Sequence, residues 1–121
     1  MATFAKIDDN NIVVDIIVIP DEQATRGQEY INSDVGISGT FIETFLDKSK
    51  RKNYAVIDGS YDSAADAFIP VKYRPYMVLN KETYLWDYPI PMPQDGKFYI
   101  WSDEAVDWID IPKPLALPYA K

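Results

Sequence analysis

A chain of 121 residues with a net charge of −7, 47% hydrophobic and 14% aromatic, is long enough for one domain with a real core and too apolar for a disordered segment. Its acidity makes nucleic acid and anionic membrane poor partners, because the field of the whole molecule repels phosphate. With no cysteine and no histidine, disulfides, thiol nucleophiles, thiolate-held zinc and the usual general base near neutral pH are all excluded.

At the N-terminus, "TFAKI", "DDNN" and "IVVDIIVI" predict a β-hairpin, two β-favouring runs joined by residues that favour turns and tolerate left-handed geometry. Only Asp15 interrupts the second run, which predicts a central strand covered on both faces. Asp8, Asp9, Asn10 and Asn11 lack the alternating ligands and terminal Glu of an EF-hand loop, so they read as a turn and not as a calcium site. The apolar run is far short of the roughly 20 residues a spanning helix needs. No basic segment followed by an apolar core marks a secretory signal. The expectation is no membrane anchor and synthesis in a cytoplasm.

"DEQATRGQEYIN" predicts a short surface helix, with Asp21 as N-cap, early acids that suit the helix dipole, and Ala24 and Ile31 one heptad apart. Gly27 in its middle costs about 1 kcal/mol against Ala. After the break at "GISG", "TFIETFL" fits a strand with Phe41, Glu43 and Phe45 on one face better than a short helix, since Thr, Phe and Ile favour β structure. "DKSKRKN" holds Lys48, Lys50, Arg51 and Lys52, four of the twelve positive charges. It reads as a solvated turn, with contact to an anion or an acidic partner as the alternative. "NYAVI" is a further strand candidate, closed by the turn signal "DGS".

Three segments then share one pattern: "YDSAADAF" at 61–68, "LNKETYLW" at 79–86 and "WSDEAVDW" at 101–108. If four residues form each loop, the bracketing residues oppose one another across an antiparallel pair: Tyr61 with Phe68, Leu79 with Trp86, Trp101 with Trp108. Asp62, Asn80 and Ser102, just inside, are short polar side chains that bond nearby backbone and start turns. The alternative is three short helices, because Asp62 and Ser102 are also good N-caps. Unequal spacing argues against a strict solenoid.

Eight of the nine prolines lie at or after Pro70, so the connections should be edge strands or polyproline-like extended segments. "QDGKF" supplies another tight turn through Asp95-Gly96. The predicted fold class is mainly β, a β-rich α+β chain: an N-terminal hairpin, one short helix, then successive small antiparallel hairpins with proline-rich extended connections. Residues 1–112 should form a single β-rich domain and residues 113–121 an extended proline-rich C-terminal arm, lying in a groove of its own domain or docking on a neighbour.

Carboxylate sets such as Asp62 with Asp66, or Asp103 with Glu104 and Asp107, all fall in predicted loops and read as solvated turn acids. Without histidine, a Gly-rich phosphate loop or a nucleophile elbow, the chain is expected to be no enzyme and to hold no cofactor. The nine tyrosines and three tryptophans suit a binding face instead, for protein or for sugar rings, against a plain role in core packing. Candidate partner-binding residues are Tyr73, Tyr76, Tyr84, Tyr88 and Tyr99, with Pro112, Pro114, Leu115, Leu117, Pro118 and Tyr119 of the arm.

The stretches "MATFAKIDDNNIVVDIIVI", "RKNYAVIDGSYDSAADAFIP" and "LNKETYLWDYPIPMPQDGKFYIWSDEAVDWIDI" together resemble a group of small uncharacterised proteins encoded by tailed phages of marine cyanobacteria. Residues 21–50 match least, and the arm after Pro112 lies outside the pattern. The resemblance implies a phage origin, synthesis in the host cytoplasm and a place in or on the virion, and it carries no catalytic residues to transfer. The expected function is a virion structural or accessory component, tail-associated or a capsid decoration, contacting other virion proteins or a second copy of itself. A non-virion interaction protein is the alternative, such as a tail-fibre assembly chaperone or a factor that binds a host protein.

Overall fold

The computed structural model describes residues 1–112, which form nine strands and one short helical segment. The chain divides into two compact units, Met1–Asp87 and the segment from Tyr88 onward. Residues 113–121, the expected arm, lie outside the described residues.

The first unit is organised around β1 (Ala2–Ile7), which pairs antiparallel with β2 (Val13–Ile19) on one side and β3 (Thr40–Thr44) on the other. The hairpin expected at the N-terminus is present. Its turn is pinned by Asp8, whose Oδ1 accepts the backbone N–H groups of Asn10 and Ile12 at 2.8 and 2.9 Å. Asn11 adopts the left-handed conformation at φ 62°, as Asn tolerates. The central strand is β1, however, and not β2 as the apolar run suggested. Strand β2 lies at the sheet edge, where Val14 and Val18 are 45% and 54% exposed. The register shifts between β1 and β2 at Lys6/Ile7, leaving Val14 as an extra residue. Small side chains at Ala2 and Ala5 instead let β1 be covered on both sides.

Each face of the sheet carries its own core. On one, Ala2, Phe4, Ile19 and Phe41 pack with Ile31 of the helical segment. On the other, Ala5, Ile7 and Val13 pack with Ala55 and Phe68 from later in the chain. Full burial of the Phe, Ile and Val side chains among them contributes roughly 1.5–3 kcal/mol each.

The helical segment runs as a 3-10 turn (Asp21–Arg26), a single α turn (Gly27–Glu29) and a wider π-type turn (Tyr30–Val35). Pro20, not Asp21, occupies the N-cap position; Asp21 instead pairs with the N-terminal ammonium at 2.9 Å. Gly27 is buried because the Phe4 ring lies against it, and a Cβ there would stand 2.1 Å from Phe4 Cζ. The helix-weakening glycine is therefore what lets the segment approach the sheet. Gly36, at φ 88°, closes the helix with its N–H on the Ile31 carbonyl, a left-handed ending that glycine adopts without strain. Gln28 then ties the helix to β3: its Oε1 accepts the Phe41 N–H at 2.7 Å.

The strand reading of "TFIETFL" holds over Thr40–Thr44, but Phe45 lies past the strand end, where its carbonyl accepts the Lys48 N–H in a turn. "NYAVI" is not a strand. Its polar groups pair with side chains and distant carbonyls instead of a ladder: Ala55 N–H donates to Thr44 Oγ1 at 2.8 Å. The buried Asn53 amide donates to the carbonyls of Phe68, Thr83 and Tyr84 at 2.9 to 3.1 Å. The expected turn at "DGS" is present, with Gly59 N–H on the Val56 carbonyl.

Candidate interaction surface

The three repeated segments are three antiparallel hairpins: β4 (Ser60–Asp62) with β5 (Ala67–Ile69), β6 (Val78–Leu79) with β7 (Trp86–Asp87), and β8 (Phe98–Ser102) with β9 (Asp107–Ile111). All three opposed pairs occur as the sequence pattern requires, Tyr61 across from Phe68, Leu79 from Trp86 and Trp101 from Trp108. The short polar residue does the same task each time. Asp62 Oδ1 accepts the Ala65 N–H, Asn80 Oδ1 those of Glu82 and Thr83, and Ser102 Oγ that of Ala105, at 2.8 to 3.1 Å. Four residues on, the backbone turns left-handed at Asp66, Tyr84 and Val106, with φ of 53°, 57° and 50°. Shared turn geometry, not a solenoid period, is the common cause of the pattern.

The hairpins differ in what surrounds their large side chains. Phe68 is 1% exposed in the core of the first unit, 5.0 Å from the Tyr61 ring. Tyr61 donates its hydroxyl to Asp66, which also accepts Arg51 Nε at 2.9 Å. These bonds, Tyr61 first, hold the Asp66 carboxyl below its usual range, and burial, then the Asp66 contact, raises the Tyr61 phenol. In the second hairpin Trp86 Nε1–H reaches back to the Pro70 carbonyl at 2.7 Å, with Lys72 Nζ 5.1 Å from its ring.

The third hairpin belongs to the second unit, and there Trp108 Nε1–H donates to the Ile90 carbonyl at 2.7 Å. The Trp86 and Trp108 indoles thus each bond the proline-rich connection that precedes their hairpin. No proline among the described residues lies in a strand. Tyr88 stacks on Trp101 at 4.3 Å and meets the edge of Trp108 at 5.4 Å, while the two tryptophans meet edge to face at 5.3 Å. Such ring pairs add about 0.5–1.5 kcal/mol each beyond their buried area.

The register that puts Trp101 and Trp108 on one face puts Phe98 with Ile111 and Ile100 with Ile109 on the other. On that second face Phe98, Ile100 and Ile109 are 46%, 39% and 42% exposed. These residues were missed as candidates, although alternation in "FYIWS" and "DWIDI" places them once the tryptophan pair fixes the register.

Of the candidate tyrosines, Tyr73 is the widely exposed one, at 63%, and Tyr76 is half-buried. Tyr84 holds the left-handed position of its turn and gives its carbonyl to Asn53. Tyr99 donates its hydroxyl to Asp95 at 2.6 Å within the expected Asp95-Gly96 turn, where Lys97 N–H bonds Asp95 Oδ1 at 3.0 Å. Asp95 pushes the Tyr99 phenol up to about 12, and the same hydrogen bond holds the Asp95 carboxyl below its usual range. Tyr88 is brought together with Trp101 and Trp108. Pro112 is exposed, and Pro114, Leu115, Leu117, Pro118 and Tyr119 lie outside the described residues.

Among the described residues no three carboxylates are grouped to hold a metal ion, and no helix is long and apolar enough to cross a membrane. No protein-family model, curated protein or solved structure matches this chain.

Proposed function

We propose that this protein is a phage virion structural or accessory component, tail-associated or a capsid decoration, that acts by protein–protein contact and performs no catalysis. The observation that supports contact is the third hairpin, where Phe98, Ile100 and Ile109 share one apolar, partly exposed face. A two-stranded hairpin is marginal in water and gains stability when a further layer covers it. One of its layers is supplied by Tyr88; a neighbouring virion protein is the natural second. The virion assignment itself rests on the resemblance of the strand pair and hairpin segments to proteins of tailed cyanobacterial phages.

Mass spectrometry of purified particles tests it. A stoichiometric signal for the chain supports a virion component. Its absence from particles, with the chain abundant in infected cells, would move the assignment to an assembly chaperone or a host-binding factor.

A further inference from the structure

The basic loop between β3 and β4 is the one place where an acidic molecule concentrates positive charge: Lys48, Lys50, Arg51 and Lys52 fall within five residues of a chain with net charge −7. Its backbone is bent to a shape L-residues adopt reluctantly. Lys48, Arg51 and Lys52 have φ of 59°, 59° and 65°, a conformation costing roughly 1–2 kcal/mol per residue, and such strain persists only where the surroundings enforce it.

The loop's C-terminal end is anchored by the Asn53 amide, bonded to the carbonyls of Phe68, Thr83 and Tyr84, and by the Arg51 carbonyl, which accepts the Phe68 N–H at 3.0 Å. The loop forms one wall of an open cavity of about 460 Å³, and Thr83 and Leu85 form part of the other. Asp66 is the one carboxylate on the walls, and its charge is already engaged by Tyr61 and Arg51. Asp47, beside the loop, is turned to the Ser49 N–H at 3.0 Å. Lys48, Lys50 and Lys52 are exposed, Lys50 with its Nζ 5.7 Å from the Phe45 ring.

We propose that this cavity binds a short acidic peptide segment of a partner protein, two or three carboxylates held by Lys48, Lys50 and Lys52. Three separate ammonium groups are mobile point charges suited to spaced carboxylates, whereas a single phosphate is best gripped by a guanidinium fork, and the Arg51 fork is engaged by Asp66 and the Glu43 carbonyl. The acidic remainder of the molecule disfavours a long polyanion that would run beyond the loop, while a short segment stays within about one Debye length, roughly 8–10 Å, of the lysines. The site is independent of the virion assignment, and either can fail without the other.

The test is a nitrogen-15 NMR titration of the full chain with acetylated triglutamate, triglutamine and inorganic phosphate. Triglutamate should give saturating shifts confined to residues 48–53 and 83–85, lost near 1 M salt, where the Debye length is about 3 Å. Triglutamine should give none. K50Q/K52Q should bind about tenfold more weakly, a difference of about 1.4 kcal/mol, and K72Q/K97Q, which removes the same charge elsewhere, should bind as the wild type does. Lys48→Gln alone provides the same reading if the double variant loses its dispersed spectrum. Shifts that never saturate, phosphate binding as tight as triglutamate, or equal weakening by both double variants would overturn the proposal.

Discussion

The first and second units use the same hairpin device to opposite ends. In the first, the 61–68 hairpin delivers Phe68 into a core that covers one face of the three-stranded sheet, while the helical segment covers the other. In the second, one face of the 101–108 hairpin carries the Tyr88, Trp101 and Trp108 ring cluster and the other exposes Phe98, Ile100 and Ile109. The contrast shows that the turn pattern specifies a hairpin and its register but not what the hairpin is for. That is decided by what packs on the pair, Ala5, Ile7, Val13 and Ala55 in one case and Tyr88 in the other.

The sharpest way to break this contrast is to alter the paired aromatic in each unit. Phe68→Ala should cost about 3–5 kcal/mol, as large-to-small changes in a packed core do, and should lower the urea midpoint of the first unit. If Phe68→Ala is tolerated within about 1 kcal/mol, the two-core description of that unit is wrong. Gly27→Ala should come next, losing about 1–3 kcal/mol through overpacking against Phe4 although alanine is the better helix former. The double variant with Phe4→Leu should recover much of the loss.

In the second unit Trp108→Phe keeps a ring but removes the N–H donated to Ile90. We expect a loss of about 1 kcal/mol, seen as faster amide exchange in residues 98–111 with residues 2–19 unchanged. Val106→Gly should act in the other direction, gaining a few tenths to about 1 kcal/mol, because a β-branched residue at positive φ is strained.

The smallest effect is on titration. Tyr99 keeps its proton to a pH near 12, above the ordinary phenol value of about 10. A raised folded-state pKa means that the folded chain holds this proton more tightly than the unfolded one. Its contribution is therefore complete below about pH 10 and fades as the pH rises through 12. In ultraviolet titration Asp95→Asn should bring one tyrosine back toward the ordinary range, and Tyr99→Phe should delete the late component.

Legibility in the sequence followed the range of the interactions involved. The three cross-strand pairs were readable because a four-residue loop and a short polar starter act within eight residues of one another. The sheet order was not, since the burial of β1 on both faces depends on Ile31 from the helix and on Ala55 and Phe68 far along the chain. "NYAVI" looked like a strand because its residue types favour one. In the structure the Ala55 N–H goes to the Thr44 hydroxyl and not to a ladder, and the Asn53 side chain is turned to carbonyls 15 to 31 residues away. Gly27 read as a weakness in a helix, and its reason is the ring of Phe4 pressed against it. At the candidate surface, tyrosine content pointed to individual residues, several of which serve turns, and the partly exposed apolar face emerged only from the register.

Co-sedimentation with purified virions, comparing the wild type with Ile100→Ser/Ile109→Ser, bears most directly on the partly exposed apolar hairpin face as the contact surface. Both forms should keep the Trp101–Trp108 near-ultraviolet dichroism, with the wild type pelleting with particles and the variant staying in the supernatant. Equal pelleting of the two, or a wild type that never binds, would contradict it.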